Sequence, residues 1–294
     1  MANQRKILPT TLDELRRNLE QLKLPAMHAA LDESLQQAQT LQQGYSTFLA
    51  GLLEKEVLAR ADAASARRIK AAAFPSVKTF DTFNWGFQVG LNVQLAKDLM
   101  SLDFVRQGRP VLLLGRPGTG KTHLSLAYGH LAALKGYKVG FFACSRLLEQ
   151  LYASLADAST DKLVRRLAAL DLLILDDLRA LVPKAEYASL LYEVIDARHG
   201  RKSTMLSSNL SVDAWGKALG DKTLTASIVD RLMERACVLN IKRGRSYRSE
   251  GPDAPPPGEQ PDGLDMAPEA APPLEGTAHP TDRTAGLLSA AARS

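Results

Sequence analysis

Residues 111–122 read VLLLGRPGTGKT, an apolar run followed by a glycine-rich stretch and a Lys-Thr pair. The last eight residues fit the pattern G-x-x-x-x-G-K-[ST] at every fixed position. Gly115, Gly118 and Gly120 permit a tight loop, and a helical pattern begins at Lys121. The stretch therefore predicts a buried strand, a phosphate-binding loop and a helix in direct succession.

The chemistry of such a loop follows from its backbone. Its N–H groups converge on phosphate oxygens, and the helix N-terminus adds a favourable dipole. Lys121 then places a cation on the terminal phosphates of ATP, and Thr122 offers its hydroxyl to Mg²⁺. The predicted nucleotide-binding residues are Gly115, Arg116, Pro117, Gly118, Thr119, Gly120, Lys121, Thr122 and His123.

Further apolar runs follow the loop along the chain. They read VGFFA, LLILDD, TMLSSN and CVLNI, and helical segments separate them. Strands that alternate with helices are typical of a mostly parallel sheet with helices on both faces. We therefore expect an α/β fold.

Polar residues end two of these predicted strands. Asp176 and Asp177 close LLILDD, and Asn209 closes TMLSSN. Ligands of open parallel sheets bind at the carboxyl ends of the strands. Asp176 is suited to hold Mg²⁺, Asp177 to orient or deprotonate the water that attacks the γ-phosphate, and Asn209 to position the same water. The alternatives are a helix cap and a surface charge for the two aspartates, and a turn residue for Asn209.

The N-terminal 74 residues predict a small helical module. Thr11 and Glu14 form a possible capping box at the start of a first helix, and Pro25 opens a second. A third helix runs on into ARRIKAAA, and the leucines of all three are expected to form a core. Near its end, Arg67, Arg68 and Lys70 are either charges that favour the helix dipole or phosphate contacts.

Two more boundaries are expected further along. The sequence PSVKTFDTFNWGF after Pro75 predicts a linker that packs on the next domain through Phe80, Phe83 and Trp85; a stacking platform for bases is the alternative. That domain is expected to span 75–250. Nine of the fifteen prolines lie in 251–294, which predicts a disordered, acidic tail.

Composition narrows the class of protein. The 294 residues are 45% hydrophobic and 23% charged, and no run approaches the roughly 18 apolar residues of a membrane span. The N-terminus lacks the apolar region of a secretory signal, so a cytoplasmic protein is expected. Cys144 and Cys237 each lie in an apolar run and are expected to be buried, without disulfide or zinc chemistry.

The charge is unevenly distributed. Residues 75–250 hold 25 basic and 17 acidic side chains, whereas 251–294 hold 2 and 7. This asymmetry indicates a polyanionic partner, with an ordinary solvated surface as the alternative. Contacts to a DNA backbone would be largely indifferent to base sequence. Candidates to line a groove for double-stranded DNA are Arg198, Arg201, Lys202, Lys242 and Arg243.

Taken in order, GRPGTGKT, LLILDD, LSSN, DRLMER and GRSYR resemble AAA+ ATPases of the group that includes the helicase loader DnaC and the IstB-type transposition helpers. The N-terminal LDELRRNLEQLKLPAMHAAL is similar to the IstB type in particular. The resemblance covers about residues 75–248 and implies a P-loop ATPase that uses ATP and Mg²⁺. It also implies a homo-oligomer that assembles on DNA and assists a cognate transposase.

The resemblance assigns roles to arginines as well. Arg231 in DRL matches an arginine finger that acts across a subunit boundary, and Arg248 in SYR matches the sensor II arginine, with Arg245 as the other candidate. Such cations stabilise the charge of phosphoryl transfer, and one supplied by a neighbour links ATP binding to assembly. A salt bridge to Glu234 is the alternative for Arg231.

Other functions remain open on the sequence. A DnaC-like helicase loader would share the ATPase core and differ in its client. A small-molecule P-loop kinase would need a lid and an acceptor pocket. A nucleotide-gated scaffold with little hydrolysis would suit Asp177, which stands where many AAA+ proteins carry a longer glutamate.

Overall fold

The computed structural model describes residues 11–88, 90–179, 184–241 and 244–247. The expected acidic tail and the candidates Arg248, Lys242 and Arg243 lie outside these residues. Within them, a group of helices precedes a parallel sheet whose strands alternate with helices. Among the residues described, no helix combines the length and apolar character needed to span a bilayer.

The first helices begin where the capping signals predict. Thr11 Oγ1 accepts the Glu14 backbone N–H (3.3 Å), and the Glu14 carboxylate accepts the Thr11 N–H (3.0 Å), so the capping box is confirmed. Pro25 is the first residue of the second helix. A backbone N–H at this position would have no partner within the helix, so the N–H that proline lacks costs no hydrogen bond. These helices are α1 (Leu12–Gln21), α2 (Pro25–Thr40) and α3 (Tyr45–Ala71).

The three helices enclose a small core. It contains Leu19, Met27, Leu31 and Leu52. The expectation that the leucines here are core residues is wrong for Leu12, Leu22 and Leu41, which are exposed. It is also wrong for one stretch of α3, because its outer face leaves apolar side chains 46–64% exposed. Those side chains are Leu49, Leu53, Val57 and Leu58.

The end of α3 packs against the sheet layer. Arg68 Nε donates to the backbone carbonyl of Ala133 (2.8 Å), and the carbonyl of Ala72 accepts the N–H of Phe141 on an edge strand (3.0 Å). Arg68 lies in the last turn of α3, where its charge favours the helix dipole as one of the two sequence interpretations held, and its guanidinium also docks this helix end on the Ala133 carbonyl. The domain boundary expected near residue 74 stays a prediction.

The linker packs through its aromatic rings, as predicted. Phe80, Phe83 and Trp85 join the core on one face of the sheet, with the Phe83 and Trp85 rings 4.9 Å apart edge to face. Short helices that the sequence did not predict follow. They are α4 (Val93–Asp98), a 3-10 turn (Leu99–Ser101) and α5 (Asp103–Arg106).

A five-stranded sheet forms the centre of the described fold. Its spatial order is β2-β3-β4-β1-β5, and every pairing is parallel. Both faces are covered by separate apolar cores, so the predicted α/β class is confirmed. The strands are β1 (Val111–Gly115), β2 (Val139–Ala143), β3 (Leu172–Leu178), β4 (Ser203–Ser208) and β5 (Cys237–Ile241).

Helices connect successive strands. Between β4 and β5 a 3-10 turn (Val212–Ala214) precedes two of them. Cys144 and Cys237 are buried, as predicted. The helices are α6 (Lys121–Leu134), α7 (Cys144–Ala153), α8 (Thr160–Ala168), α9 (Ala185–Arg198), α10 (Trp215–Leu219) and α11 (Lys222–Met233).

Two candidates for a DNA groove have structural partners instead. Arg198 is 1% exposed, and its guanidinium donates to Thr204 Oγ1 (3.0 Å) and to backbone carbonyls that include Leu170 (2.9 Å). Burial lowers the pKa of Arg198 to about 9. Lys202 pairs with Asp171 (2.6 Å). The prediction is wrong for Arg198, which no DNA phosphate can reach, and Lys202 is already paired.

Candidate active site

The loop between β1 and α6 requires glycine at two positions. Gly118 (φ +77°) and Gly120 (φ +88°) adopt left-handed backbone conformations. A Cβ at Gly120 would lie 2.8 Å from the Phe83 ring, and one at Gly118 would lie 2.2 Å from Ser246 Oγ. Two distant segments of the chain therefore pack directly against this loop.

Lys121 turns back over the loop. Its side chain is buried, and Nζ donates to the backbone carbonyls of Gly115 (2.9 Å) and Arg116 (2.9 Å). Thr119 Oγ1 donates to the same Arg116 carbonyl (2.8 Å). The ammonium group is thus held at the loop, where a bound anion would meet it.

A cleft of about 810 Å³ opens beside the loop. This volume is within the usual range of small-ligand pockets. The linker, the phosphate loop and the carboxyl ends of β3 and β4 all contribute to its wall. The predicted residues that line it are Pro117, Gly118, Thr119, Gly120, Lys121, Thr122, His123, Asp176, Asp177 and Asn209.

Gly115 and Arg116 are placed differently. They line a second cavity of about 240 Å³, to which Asn209 and Asp213 also contribute. Asn209 thus lies on the wall of both cavities. Within the described chain, Arg231 lines neither.

Asp176 connects the loop to the sheet. Thr122 Oγ1 donates to its Oδ2 (2.8 Å), and Ser207 Oγ donates to its Oδ1 (2.6 Å). Burial raises the pKa of Asp176, although both hydroxyl contacts favour the carboxylate. The Thr122 hydroxyl and the Asp176 carboxylate are hard oxygen donors of the kind that Mg²⁺ prefers, so the pair fits that ion.

Asp177 has an unusual backbone. Its φ is +59°, and the pairing of β3 with β4 is irregular between Leu175 and Leu178. The Asp177 N–H donates to Ser207 Oγ (2.8 Å), and its carboxylate lies 3.5 Å from Arg179 Nε. Strained backbone of this kind is often found at functional sites.

Ser207 and Arg179 were not predicted from the sequence. Ser207 lies within the strand TMLSSN, only two residues before the predicted Asn209, and this position was the available signal. Arg179 follows LLILDD, but no pattern in the sequence indicates that its side chain turns back toward Asp177.

His123 joins the loop helix to the linker. Its Nε2 lies 2.9 Å from the Thr79 carbonyl and 3.3 Å from Thr82 Oγ1. Burial lowers the pKa of His123, with the Thr79 contact acting in the opposite direction. The ring also contacts Phe83 edge to face. His123 thus holds the linker beside the cleft.

The chain returns to the loop after β5. The Tyr247 N–H donates to the Gly118 carbonyl (2.9 Å), and Gln88 Nε2 donates to the Arg245 carbonyl (2.9 Å). The Phe87 and Tyr247 rings meet edge to face, and Arg245 lies over Phe87. Tyr247, Gln88 and Phe87 all line the cleft.

Arg231 is held within α11 and its neighbour α9. Its Nε lies 2.8 Å from Asp196 Oδ1, and its guanidinium donates to Tyr192 Oη (2.6 Å) and covers that ring. Glu234, the alternative partner from the sequence, pairs with His199 instead (2.7 Å). Arg231 thus has an ion pair, but with a residue of another helix.

The parallel sheet, the glycine-rich loop after β1 and the aspartate at the end of β3 together define a P-loop NTPase of the AAA+ fold class. A family model for IstB-like ATP binding proteins matches residues 17–252. The chain belongs to this family.

Relatives in several bacteria support that assignment. The chain is 34% identical over 237 residues to a protein named for ATP binding in insertion sequence IS21 of Pseudomonas aeruginosa, covering 81% of this chain and 89% of the relative. It is 33% identical over 227 residues to a similarly named protein of IS5376 in Geobacillus stearothermophilus, and the match covers 77% of this chain and 90% of the relative.

Solved structures with a similar fold include a DnaC helicase loader, at 24% identity and a TM-score of 0.45 over 56% of this chain and 96% of that one. Another is the replication initiator DnaA bound to AMPPCP and single-stranded DNA, at 21% identity and a TM-score of 0.48, covering 58% and 51%.

Proposed function

We propose that this protein is a cytoplasmic, homo-oligomeric ATPase that assembles on double-stranded DNA, largely without regard to base sequence, and assists a cognate transposase. One observation carries the proposal. In the cleft beside the phosphate loop, Asp176 accepts hydrogen bonds from both Thr122 and Ser207. This contact brings together the loop, β3 and β4 at the point where a triphosphate would end.

The proposed nucleotide site uses the loop from Gly115 to His123. Its backbone N–H groups bind the phosphates, and Lys121 exchanges its carbonyl contacts for phosphate oxygens when ATP enters. The left-handed Gly118 and Gly120 let the backbone approach the phosphates closely. The loop thus supplies affinity, and the carboxylates beside it supply chemistry.

Mg²⁺ would be held by Thr122 and Asp176, the latter directly or through water. When bound, the ion neutralises charge that develops on the phosphate oxygens. Ser207 fixes the Asp176 carboxylate from the other side, so the Asp176 side chain keeps one orientation. Ser207 therefore serves as a positioning residue in this proposal.

Asp177 and Asn209 would act on the attacking water. Asp177 orients it or takes its proton, and Asn209 positions it from the end of the neighbouring strand. Arg179 lies close enough to Asp177 to compete for the same carboxylate. The proposal requires the Asp177 carboxylate to face the attacking water when ATP is bound, whether or not Arg179 stays beside it.

Arg231 and Arg248 complete the proposed mechanism as cations for the transition state. The Arg231 side chain lies outside both described cavities, so in this proposal it acts on the site of a neighbouring subunit. If so, ATP binding and assembly become one linked equilibrium. Arg231 would leave Asp196 when a neighbour's nucleotide approaches.

DNA binding and the transposase client rest on two further observations. Residues 75–250 carry 25 basic against 17 acidic side chains, and Arg201 is exposed. The relatives named above come from insertion sequences, which favours a transposase over a helicase as the client.

ATP turnover tests the catalytic part of the proposal. Asp176→Asn should lower phosphate release by about a hundredfold or more, because the metal-binding charge is lost. Asp213→Asn is the matched control, since Asp213 is exposed and lines only the smaller cavity. Wild-type protein should hydrolyse ATP faster with DNA present. Equal turnover of both variants would contradict the assignment of Asp176.

Mixing two inactive variants tests action between subunits. Arg231→Ala should lower the rate of ATP hydrolysis by at least about a thousandfold, while each subunit still binds ATP. Asp177→Asn should also be inactive. In a mixture of the two variants, some subunit boundaries combine an intact Asp177 on one subunit with an intact Arg231 on the other. ATP turnover should therefore be partly restored. A mixture as inactive as either variant would place Arg231 outside the reaction.

A further inference from the structure

An arginine precedes the amino end of each of three neighbouring strands. Arg109 lies two residues before β1, Arg201 two residues before β4 and Arg235 two residues before β5. These strands are adjacent in the sheet, in the order β4-β1-β5. Neighbouring strands lie about 4.8 Å apart, so the three positions span about 10 Å. They lie at the edge of the sheet opposite the phosphate loop, which follows the carboxyl end of β1.

Close contacts hold these three segments together. Arg109 Nε donates to the Arg235 carbonyl (2.8 Å), and Ser203 Oγ donates to the Arg109 carbonyl (2.7 Å). Gly108 (φ +62°) packs against the Arg201 backbone, since an added Cβ would lie 2.9 Å from the Arg201 carbonyl carbon. The fold itself therefore brings the three arginines to one edge.

The three arginines have no acidic partner in the described part of the chain, where none of them forms an ion pair with a carboxylate. Arg201 and Arg235 are exposed. Glu234, next to Arg235 in the sequence, pairs with His199 instead (2.7 Å). Like charges that are held together without counter-charges repel one another and attract an anion. The cluster is therefore suited to an anionic partner.

We infer that Arg109, Arg201 and Arg235 form an arginine row that binds the phosphate backbone of double-stranded DNA. The inference rests on the proposed function, which supplies DNA as the anionic partner. Successive phosphates of one DNA strand are about 3.4 Å apart along the helix axis, so a row of about 10 Å extends over about three of them. Contacts to phosphates carry no base information, in keeping with binding that is largely indifferent to sequence.

Binding of a fluorescent DNA duplex to the full chain with Mg²⁺-ATP, measured by anisotropy over a series of salt concentrations, tests the arginine row. The double variant Arg201→Gln with Arg235→Gln removes two charges and keeps Arg109, whose Nε supports the Arg235 backbone. Loss of two phosphate contacts should reduce the slope of log affinity against log salt by about 2 per bound subunit. Affinity at about 0.1 M salt should fall about 50-fold.

Arg17→Gln with Lys23→Gln is the matched control. It makes the same change in charge at exposed positions of the N-terminal helices, and it should keep the wild-type salt slope. Affinity for Mg²⁺-ATP without DNA should stay within about twofold of wild type in both double variants, because the length of β1, about 17 Å, separates the arginine row from the phosphate loop. Retained ATP binding also shows that each variant is folded.

Chemical protection tests the arginine row on wild-type protein, without any variant. Phenylglyoxal modifies exposed arginines, and peptide mass spectrometry locates the modified residues. At a fixed concentration of Mg²⁺-ATP, a saturating duplex should slow the modification of Arg201 and Arg235 several-fold and leave that of Arg17 unchanged. This measurement covers the case in which the double variant fails to fold.

The possible failures can be told apart. Wild-type protein that binds no duplex overturns the DNA-binding part of the proposed function. An unchanged salt slope in Arg201→Gln with Arg235→Gln, or an equal decrease in the control, overturns the arginine row and leaves the proposed function standing. Equal modification of Arg201 and Arg235 with and without DNA also overturns the arginine row.

Discussion

The floor and the rim of the cleft are built in different ways. The floor consists of the phosphate loop with Asp176 and Ser207, which are buried and joined by side-chain hydrogen bonds. The rim consists of residues 79–88 and 244–247, two segments joined by contacts such as Gln88 to Arg245. Its outer rings remain partly exposed.

This difference separates two tasks. A triphosphate has the same charge and shape whatever its base, so a rigid floor can bind it with backbone N–H groups and a few fixed charges. A base must be distinguished by its edge, which requires specific side chains. Ser246 and Tyr247 of the rim contact the floor at Gly118. A strained backbone at Gly118 should therefore disturb the structure of both the floor and the rim.

Gly118→Ala tests the contact between floor and rim. The variant forces a left-handed backbone on alanine and brings its Cβ against Ser246, so we expect the free energy of unfolding to fall by about 1–3 kcal/mol. Thermal or denaturant unfolding measures this loss.

Gly136→Ala provides the control for Gly118→Ala. Gly136 has a similarly positive φ of +100° but open space around its Cβ, so its variant carries only the backbone strain. The difference between the two variants isolates the contact with Ser246. Equal losses would mean that the returning segment does not press on the loop.

Phe87→Ala should affect the rim alone. Loss of a stacking surface for a base lowers affinity by about tenfold for ATP, whereas inorganic triphosphate, which has no base, should bind as before. Competition binding with both ligands gives the comparison. A similar loss for inorganic triphosphate would show that Phe87 supports the floor and not the base.

The floor was largely predictable because its signals are local. The loop glycines, Lys121 and Thr122 lie within one short stretch, and Asp176 ends an apolar run whose burial the pattern indicates. Parallel pairing then brings the carboxyl ends of β3 and β4 together. Even here Ser207 was missed, because a serine inside a strand has no distinctive spacing.

The rim could not be predicted in the same way. Gln88 and Arg245 are 157 positions apart, and neither local pattern indicates that they meet. Arg198 shows the opposite error: its charge suggested an exposed DNA contact, but the guanidinium is buried against carbonyls of the α8–β3 connection and β4. The exposed apolar side chains Leu49, Leu53 and Val57 of α3 are a similar case. Helical periodicity shows which residues share one face of a helix, but it does not show whether other residues cover that face.

Calorimetric titration of Mg²⁺-ATP into the full chain tests the central claim most directly, with Lys121→Ala and the exposed Lys135→Ala compared in parallel. Wild-type protein and Lys135→Ala should bind ATP with similar affinity, and Lys121→Ala should bind about 100-fold more weakly because a charged contact to phosphate is lost. No heat of binding in folded wild-type protein, or equal affinity in all three, would contradict a triphosphate site at this loop.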